Sequence, residues 1–128
     1  MKVINFIQGV IREHLNGKIE NIYITPRRNS DYPYCIIKVG AIKNLSNVRE
    51  TFFLCEVCLD IYDKNADNCG LNSAGDELKN SLNGIINNQS DEFLIKNIQW
   101  KQSNLKLFNE INSIWNISLN FDVLAKQL

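Results

Sequence analysis

RETFFLCEVCLDIYD, residues 49–63, is the stretch of sequence that decides the fold. Side chains alternate between the two faces of a strand, and the odd positions of this stretch are mostly apolar, as a core-facing side requires. The even positions start apolar, with Phe52 and Leu54, and become polar from Glu56 onward. About 12 extended residues reach roughly 40 Å at about 3.3 Å per residue, twice the usual strand length. The stretch therefore predicts a long central strand whose end projects beyond the domain.

The composition is that of a folded protein. The 128 residues suffice for one domain with one core, which we expect to span residues 1–128. Hydrophobic residues make up 45% and charged residues 22%, both ordinary fractions for such a domain. Lys plus Arg and Asp plus Glu each number 14, so the formal net charge is zero. A neutral chain argues against nucleic-acid binding driven by the neutralisation of phosphates.

The sequence shows no membrane or export segment. No apolar run approaches the roughly 20 residues of a membrane span. The N-terminal residues carry Gln8, Arg12 and Glu13 inside their apolar pattern and lack the core and cleavage site of a signal peptide. We therefore expect a protein that is made in the cytosol and stays there until it is assembled, with no membrane partner.

Hydrophobic periodicity around the central stretch predicts two helices and four further strands. Apolar residues at three- and four-residue steps favour a helix over 2–15, which Gly17 ends. A second helical pattern, with Asn72 or Ser73 as its cap, follows the central stretch. Its apolar positions are Leu71, Ala74, Leu78, Leu82 and Ile85 or Ile86, and residues 87–90 are expected to end it. The remaining strands are predicted at residues 19–25, 34–43, 93–101 and 115–123.

Three of these strands carry local detail. The strand over 93–101 changes its apolar parity after Ile95, which a bulge near Asn97 would reconcile, and residues 102–112 are predicted as a hairpin connection. The strand over 34–43 is expected to turn these side chains to one face: Cys35, Ile37, Val39 and Ala41. The last strand alternates apolar and polar positions, which predicts one core face and one wet face. Its polar positions are Asn116, Ser118, Asn120 and Asp122.

The element order is thus α-β-β-β-α-β-β. Runs of strands combined with two helices indicate an α+β fold. We predict a mainly antiparallel sheet with both helices packed on one face, and core positions for Trp100 and Trp115.

The four cysteines, Cys35, Cys55, Cys58 and Cys69, invite a metal or redox interpretation because two of them form a C-x-x-C pair. On a strand, however, positions 55 and 58 point to opposite faces, and no second pair or nearby histidine completes a site. We expect free, mostly buried thiols. An enzyme with Cys58 or Cys69 as its nucleophile would also need a base beside it, and the sequence places none there.

The other titratable residues also fail to form a reaction centre. His14, the only histidine, lies near a helix end, where a solvated or dipole-stabilising role is expected. The carboxylates Glu56, Asp60 and Asp63 share one stretch. Glu56 and Asp60 lie on one strand face about 13 Å apart, too far for paired acid–base work, so we expect a solvated or interface stripe. We predict no catalytic, cofactor-binding or metal-binding residue, and hence no enzyme.

The apolar even positions of the central strand are more informative. Phe52 and Leu54 point away from the predicted core, where a sheet with helices on one side should be polar. Together with Glu56 they form a hypothetical subunit interface. The alternative is that a loop or the first strand covers them within one copy.

This order and several short motifs resemble the tail-terminator (tail-completion) proteins of long-tailed phages, including their prophage and gene-transfer-agent versions. The resemblance follows from order and spacing over nearly the whole chain. Its motifs are YPYCII at 32–37, the long strand at 50–62, AGDELKNSLNG at 74–84 and LNFDV at 119–123. The chain departs from the family in its cysteines and its Asn-rich loops.

The resemblance implies a non-enzymatic virion protein without cofactor or metal. Such proteins form hexameric rings that cap the head-proximal end of the tail tube, stop its growth and present a surface to the head connector. The implied partners are further copies of the chain, the tail tube protein and the head connector or neck protein. Double-stranded DNA would only pass through the lumen. The implied location is the tail of the virion, after assembly in the host cytoplasm.

The resemblance also points to two loops, 25–31 and 42–49, as contacts with the tube or a neighbour. Their candidate contact residues are Arg27, Arg28, Asn44, Leu45, Asn47 and Arg49. The alternatives from the sequence are another head–tail connector or neck protein, and a small α+β binding or adaptor module.

Overall fold

Seven elements make up the fold in a computed structural model, which describes residues 2–19, 21–25, 32–64 and 68–128, with only the backbone at 68–70. They are α1 (Lys2–Leu15), β1 (Asn21–Tyr23), β2 (Tyr34–Asn44), β3 (Thr51–Lys64), α2 (Asn68–Leu82), β4 (Phe93–Asn109) and β5 (Ile114–Gln127). The predicted α+β class and the order α-β-β-β-α-β-β are confirmed.

The long strand β3 lies at the centre of the sheet, as predicted. The strands are arranged β1-β2-β3-β5-β4, and β3 is antiparallel to both of its neighbours. The predicted projecting end is wrong, because β5 pairs with β3 along its whole length, from Thr51 opposite Gln127 to Lys64 opposite Ile114. β5 therefore extends as far as β3 at both ends.

The sheet is mixed, which corrects the prediction of a mainly antiparallel sheet. β1 runs parallel to β2, with Asn21 beside Tyr34 and Tyr23 beside Ile36, while the other three neighbouring pairs are antiparallel. A two-residue turn would have forced an antiparallel hairpin. The two strands are instead separated by the ten residues 24–33.

Bulges shape two of the strands. The bulge predicted near Asn97 is confirmed, since the β4–β5 register shifts between Ile95 and Asn97. A second shift in β2, between Val39 and Ile42, corrects its predicted face: Ile42 packs against the core and Ala41 is exposed. An extra residue in one strand switches the face to which the following side chains point. This accounts for the change of parity in β4 and for the inward position of Ile42 in β2.

β4 is longer than predicted. Residues 102–109 continue the strand, and the turn occupies only 110–113. The polar composition of this segment suggested a connection, but its ladder partner β5 holds it in extended form from Gln102 opposite Asn120 to Asn109 opposite Ile114. Pairing with β5 therefore outweighs the weak intrinsic strand preference of residues 102–109.

The helices close over one side of the sheet. Buried side chains of α1 and α2 share one hydrophobic cluster with the odd positions of β3, and Trp100 and Trp115 pack against it half-buried. We call this side the helix face. The opposite side, which carries the even positions of β3, is the open face. The α1 residues in the cluster are Val3, Ile7, Val10, Ile11 and Leu15.

Helix α2 differs from its prediction at three points. It ends at Leu82, short of the predicted Ile85 or Ile86, because Gly84 has a positive φ of 85° and its N–H donates to the carbonyl oxygen of Ile98. It begins at Asn68, so the predicted caps Asn72 and Ser73 lie inside it. Gly75 is buried where Ala74 was expected, and Ala74 is exposed. A Cβ at position 75 would lie 2.7 Å from Cδ1 of Ile117, so the missing side chain lets the helix approach β5 closely.

Candidate functional site

The open face of the sheet is the candidate functional site, and it divides into three zones along the strands. A polar centre lies between an apolar patch at one end and an aromatic row at the other. The patch consists of Phe52, Leu54, Leu94 and Leu124. The polar centre consists of Lys38, Cys58, Asp60, Asn116 and Ser118. The row consists of Tyr23, Tyr32, Tyr34, Tyr62 and Phe108.

Asp60 organises the polar centre. Asp60 is only 6% exposed. Its carboxylate accepts hydrogen bonds from the ammonium of Lys38 (Nζ–Oδ2 2.5 Å) and the hydroxyl of Ser118 (Oγ–Oδ1 2.5 Å). The neighbouring Asn116 is 1% exposed and donates to the carbonyl oxygen of Ile61 at 3.3 Å. The prediction that the polar face of β5 is solvated is therefore wrong at Asn116. This side chain is buried, and its hydrogen bond to the neighbouring strand satisfies its amide group.

The electrostatics of this centre favour an ion pair. Burial raises the pKa of Asp60, but the hydrogen bonds from Lys38 and Ser118 outweigh burial and hold its pKa below the ordinary value. The same hydrogen bond, which Lys38 donates to Asp60, raises the pKa of Lys38. The carboxylate is thus charged and occupied at neutral pH, which suits a structural role and leaves it unsuited to general acid or base chemistry.

The thiols in and behind this centre are free and protonated at neutral pH. Cys35 and Cys55 are buried on the helix face, whereas Cys58 is half-buried on the open face. Burial is the main cause that raises the pKa of Cys35 to about 12 and those of Cys55 and Cys58 to about 11. A thiol with so high a pKa is a poor nucleophile and metal ligand. The side chain of Cys69 lies outside the described residues.

A shallow groove follows the polar centre. Its volume is about 310 Å³, and Lys38 and Lys101 line it together with Glu56 and Asp122. Within the described part of the chain, no group of three or more His, Cys, Asp or Glu side chains could hold a metal ion. The groove offers charged side chains of both signs but no assembled set of reacting groups.

His14 is held in place on the other side of the molecule. Its Nδ1 donates to the carbonyl oxygen of Val10 at 2.9 Å, and its Nε2 accepts from the amide of Asn88 at 3.3 Å. The histidine thereby ties the end of α1 to the segment before β4.

The aromatic row crosses the open face near the start of β2. Tyr34 stacks on Tyr62 with ring centroids 5.0 Å apart, and Tyr32 lies 5.3 Å from Tyr34. Phe108 meets Tyr62 edge-on at 5.1 Å and is 56% exposed. This row links β2 to the far hairpin through ring contacts, which add stability beyond simple burial.

The structure places the predicted interface residues on the open face. Phe52 and Leu54 are half-buried, and Glu56 is exposed. Leu54 lies directly opposite Leu124 of β5, and neither residue belongs to the hydrophobic cluster under the helices. The first strand does not cover them, because β1 lies at the edge of the sheet beside β2.

The predicted contact loop between β2 and β3 is a turn built by its own asparagines. Asn44 Oδ1 accepts from the backbone N–H of Ser46 at 2.9 Å, and Asn47 Oδ1 accepts from those of Arg49 and Glu50, both at 2.9 Å. These asparagines shape the turn. The apolar side chains there are outward, with Leu45 49% and Val48 104% exposed. Arg27 and Arg28, the other predicted contacts, lie outside the described residues.

Sequence reasoning missed the tip of the β4–β5 hairpin. Leu107, Phe108 and Ile111 are 42%, 56% and 94% exposed there. The available signal was the sequence LKLFNEI at 105–111, in which apolar residues recur within a polar turn region. Apolar side chains grouped and exposed at a loop tip are a feature of contact surfaces.

Comparison with known proteins identifies solved structures that share the fold of this chain. No protein-family model matches the chain, and no curated protein matches it. Eighteen chains of solved structures match it, among them a chain of the virion of a native gene transfer agent particle. That chain shares 11% identity with a TM-score of 0.64, and the alignment covers 94% of this chain and 90% of the other. At this identity the likeness establishes the shared fold over almost the entire length of both chains.

Neither helix of the described chain is long and apolar enough to cross a membrane.

Proposed function

We propose that this chain is a non-enzymatic structural protein of a phage or phage-like particle. It forms a ring, hexameric by resemblance, at the head-proximal end of the tail, terminates the tail tube and joins it to the head connector. The observation that carries the proposal is the fold shared over 94% of the chain with a protein of a gene transfer agent virion.

The chemistry of the open face supports a structural role. Asp60 is engaged by Lys38 and Ser118, and the thiol of Cys58 is protonated, so neither side chain is an activated base or nucleophile. Exposed apolar side chains at both ends of the sheet, such as Val48 and Ile111, are features of surfaces that meet other chains.

The partners follow from this role. The chain binds further copies of itself, the tail tube protein and the head connector or neck protein, and it is assembled into the virion in the host cytoplasm. Double-stranded DNA passes through the lumen without lasting contact, which suits a chain with zero formal net charge.

The test is a tube-termination assay with the tail tube protein of the same particle. We expect purified chain to form six-fold rings in negative stain, to bind one end of the assembled tubes, and to stop their growth. Rings that bind the connector but not the tube would reassign the chain to the neck. A monomer or dimer that binds neither component, and instead captures an unrelated protein, would favour the adaptor module and refute the virion role.

A further inference from the structure

The tip of the β4–β5 hairpin is an apolar knob. Ile111 is 94% exposed and Phe108 is 56% exposed, although a turn of this kind has no structural need for apolar side chains. Phe108 contacts Tyr62 by its edge, which fixes the ring while leaving much of it in solvent. Exposed apolar surface held in a fixed position favours burial against another surface.

The apolar patch is a surface of matching character at the opposite end of the open face. Leu54 and Leu124 are register partners on adjacent strands, and both are half-buried outside the main core. From Ile114, next to the knob, to Leu124 the strand β5 covers about 33 Å at about 3.3 Å per residue. A knob cannot reach the patch of its own copy, so any contact between them joins two copies.

The charges beside the two surfaces are complementary. Lys106 and Glu110 flank the knob, and Lys43 and Glu56 flank Leu54. All four side chains belong to exposed residues, and none takes part in an ion pair within the described chain. Lys106 can therefore pair with Glu56, and Glu110 with Lys43, across the contact, which favours this pairing over a purely apolar encounter.

We infer that the knob of one copy docks on the apolar patch of a second copy. The inference deepens the proposed function, because it names the two surfaces through which copies associate. Since knob and patch are different surfaces of one chain, the contact is heterologous and continues from copy to copy until it closes as a ring.

The first test compares two exposed isoleucines by sedimentation velocity over a concentration series. Ile111→Asp should weaken self-association by about tenfold or more, since it removes one buried apolar side chain from each contact. Ile86→Asp, at a side chain 58% exposed outside both surfaces, is the matched control and should assemble like the wild type. A wild-type chain that stays monomeric throughout, or an Ile111→Asp chain that assembles normally, overturns the inference.

The second test uses complementation between two defective chains. Ile111→Asp lacks a working knob and Leu124→Asp lacks a working patch, so neither should assemble alone. An equimolar mixture retains one good knob and one good patch and should give a one-to-one heterodimer that grows no further. A mixture that remains monomeric refutes the docking.

A charge-reversal series covers the case in which Leu124→Asp does not fold. Lys106→Glu with Glu110→Lys should weaken association, and adding Lys43→Glu with Glu56→Lys should restore it, because the signs again match. These side chains belong to exposed residues, so folding is preserved, as circular dichroism will check. Failure of the second pair to restore association counts against the inference.

These outcomes separate the inference from the proposed function. Rings that persist in Ile111→Asp and still terminate tubes refute the docking and leave the tail role intact. Knob-dependent rings that bind neither tube nor connector support the docking and remove the tail role.

Discussion

Replacing Lys38 by methionine tests whether the ion pair in the polar centre stabilises the fold. The substitution keeps the aliphatic part of the side chain and removes the ammonium that Asp60 binds at 2.5 Å. The carboxylate side chain is only 9% exposed, so water cannot replace the lost partner fully, whereas the lysine side chain is 50% exposed. A hydrogen bond to a charged group contributes about 1.5–3 kcal/mol, and screening at the exposed lysine places the expected loss near 1.5 kcal/mol.

The loss should depend on pH with a definite sign. The folded-state pKa of Asp60 lies below its unfolded value of about 3.9, so the unfolded chain binds more protons between these two values. The contribution of the pair to the free energy of unfolding is therefore complete above about pH 4 and disappears as the pH falls through the folded-state pKa. The difference between wild type and Lys38→Met should be largest at neutral pH and narrow in acid.

The assay is urea unfolding followed by the fluorescence of Trp100 and Trp115, from pH 7 to the lowest pH at which both chains fold. Lys101→Met is the matched control: Lys101 is 51% exposed like Lys38, but its partner Asp122 is 30% exposed and 3.7 Å away. The control should change the free energy of unfolding by no more than about 0.5 kcal/mol. A Lys38→Met effect that is equal at all pH values would refute the electrostatic account and assign the loss to packing.

Two further predictions concern close packing and thiol reactivity. Gly9→Ala, in open space on α1, should raise the free energy of unfolding by about 0.5–1 kcal/mol. Gly75→Ala should give no gain or a loss, because its Cβ would lie 2.7 Å from Cδ1 of Ile117, so in thermal unfolding only Gly9→Ala should raise the midpoint. Cys58, with its pKa raised to about 11 mainly by burial and then by Asp60, should react with iodoacetamide at neutral pH far more slowly than an ordinary thiol, and Asp60→Asn should speed the reaction. Mass spectrometry of the Cys58 peptide measures both rates, and modification at the rate of a free cysteine would contradict the proposed environment.

Local sequence was sufficient to predict the element order, because periodicity reports which side of each element is apolar. The odd positions of β3 and the apolar steps of α1 are local patterns, and both lie in the core. The sequence could not reveal the parallel pairing of β1 with Tyr34–Ile36, which depends on the path of the connection. It also placed Ala74 inside in place of Gly75, since apolar character alone does not show where a helix must come closest to the sheet.

The candidate site likewise has one part that the sequence predicted and one part that it could not predict. Strand parity placed Phe52 and Leu54 on the face away from the helices before any partner strand was known. The polar centre could not be predicted from the sequence, because Asp60 contacts Ser118 only through the register of β3 with β5. A shift of one residue would have put the hydroxyl on the other face of the sheet. A carboxylate that looked like part of a solvated stripe is therefore buried and paired.

The polar centre also constrains where another chain can bind the open face. Asp60 and Asn116 already have partners within the sheet, so an apolar surface pressed over them would gain little and would displace the lysine that neutralises the carboxylate. Binding energy is instead available at the two ends, where half-buried leucines and exposed rings lack a complete cover. A contact from the end of one copy to the opposite end of the next uses both apolar zones and leaves the polar centre between them unchanged. On this argument the polar centre separates two binding ends, which favours docking of the knob on the patch over face-to-face stacking of whole sheets.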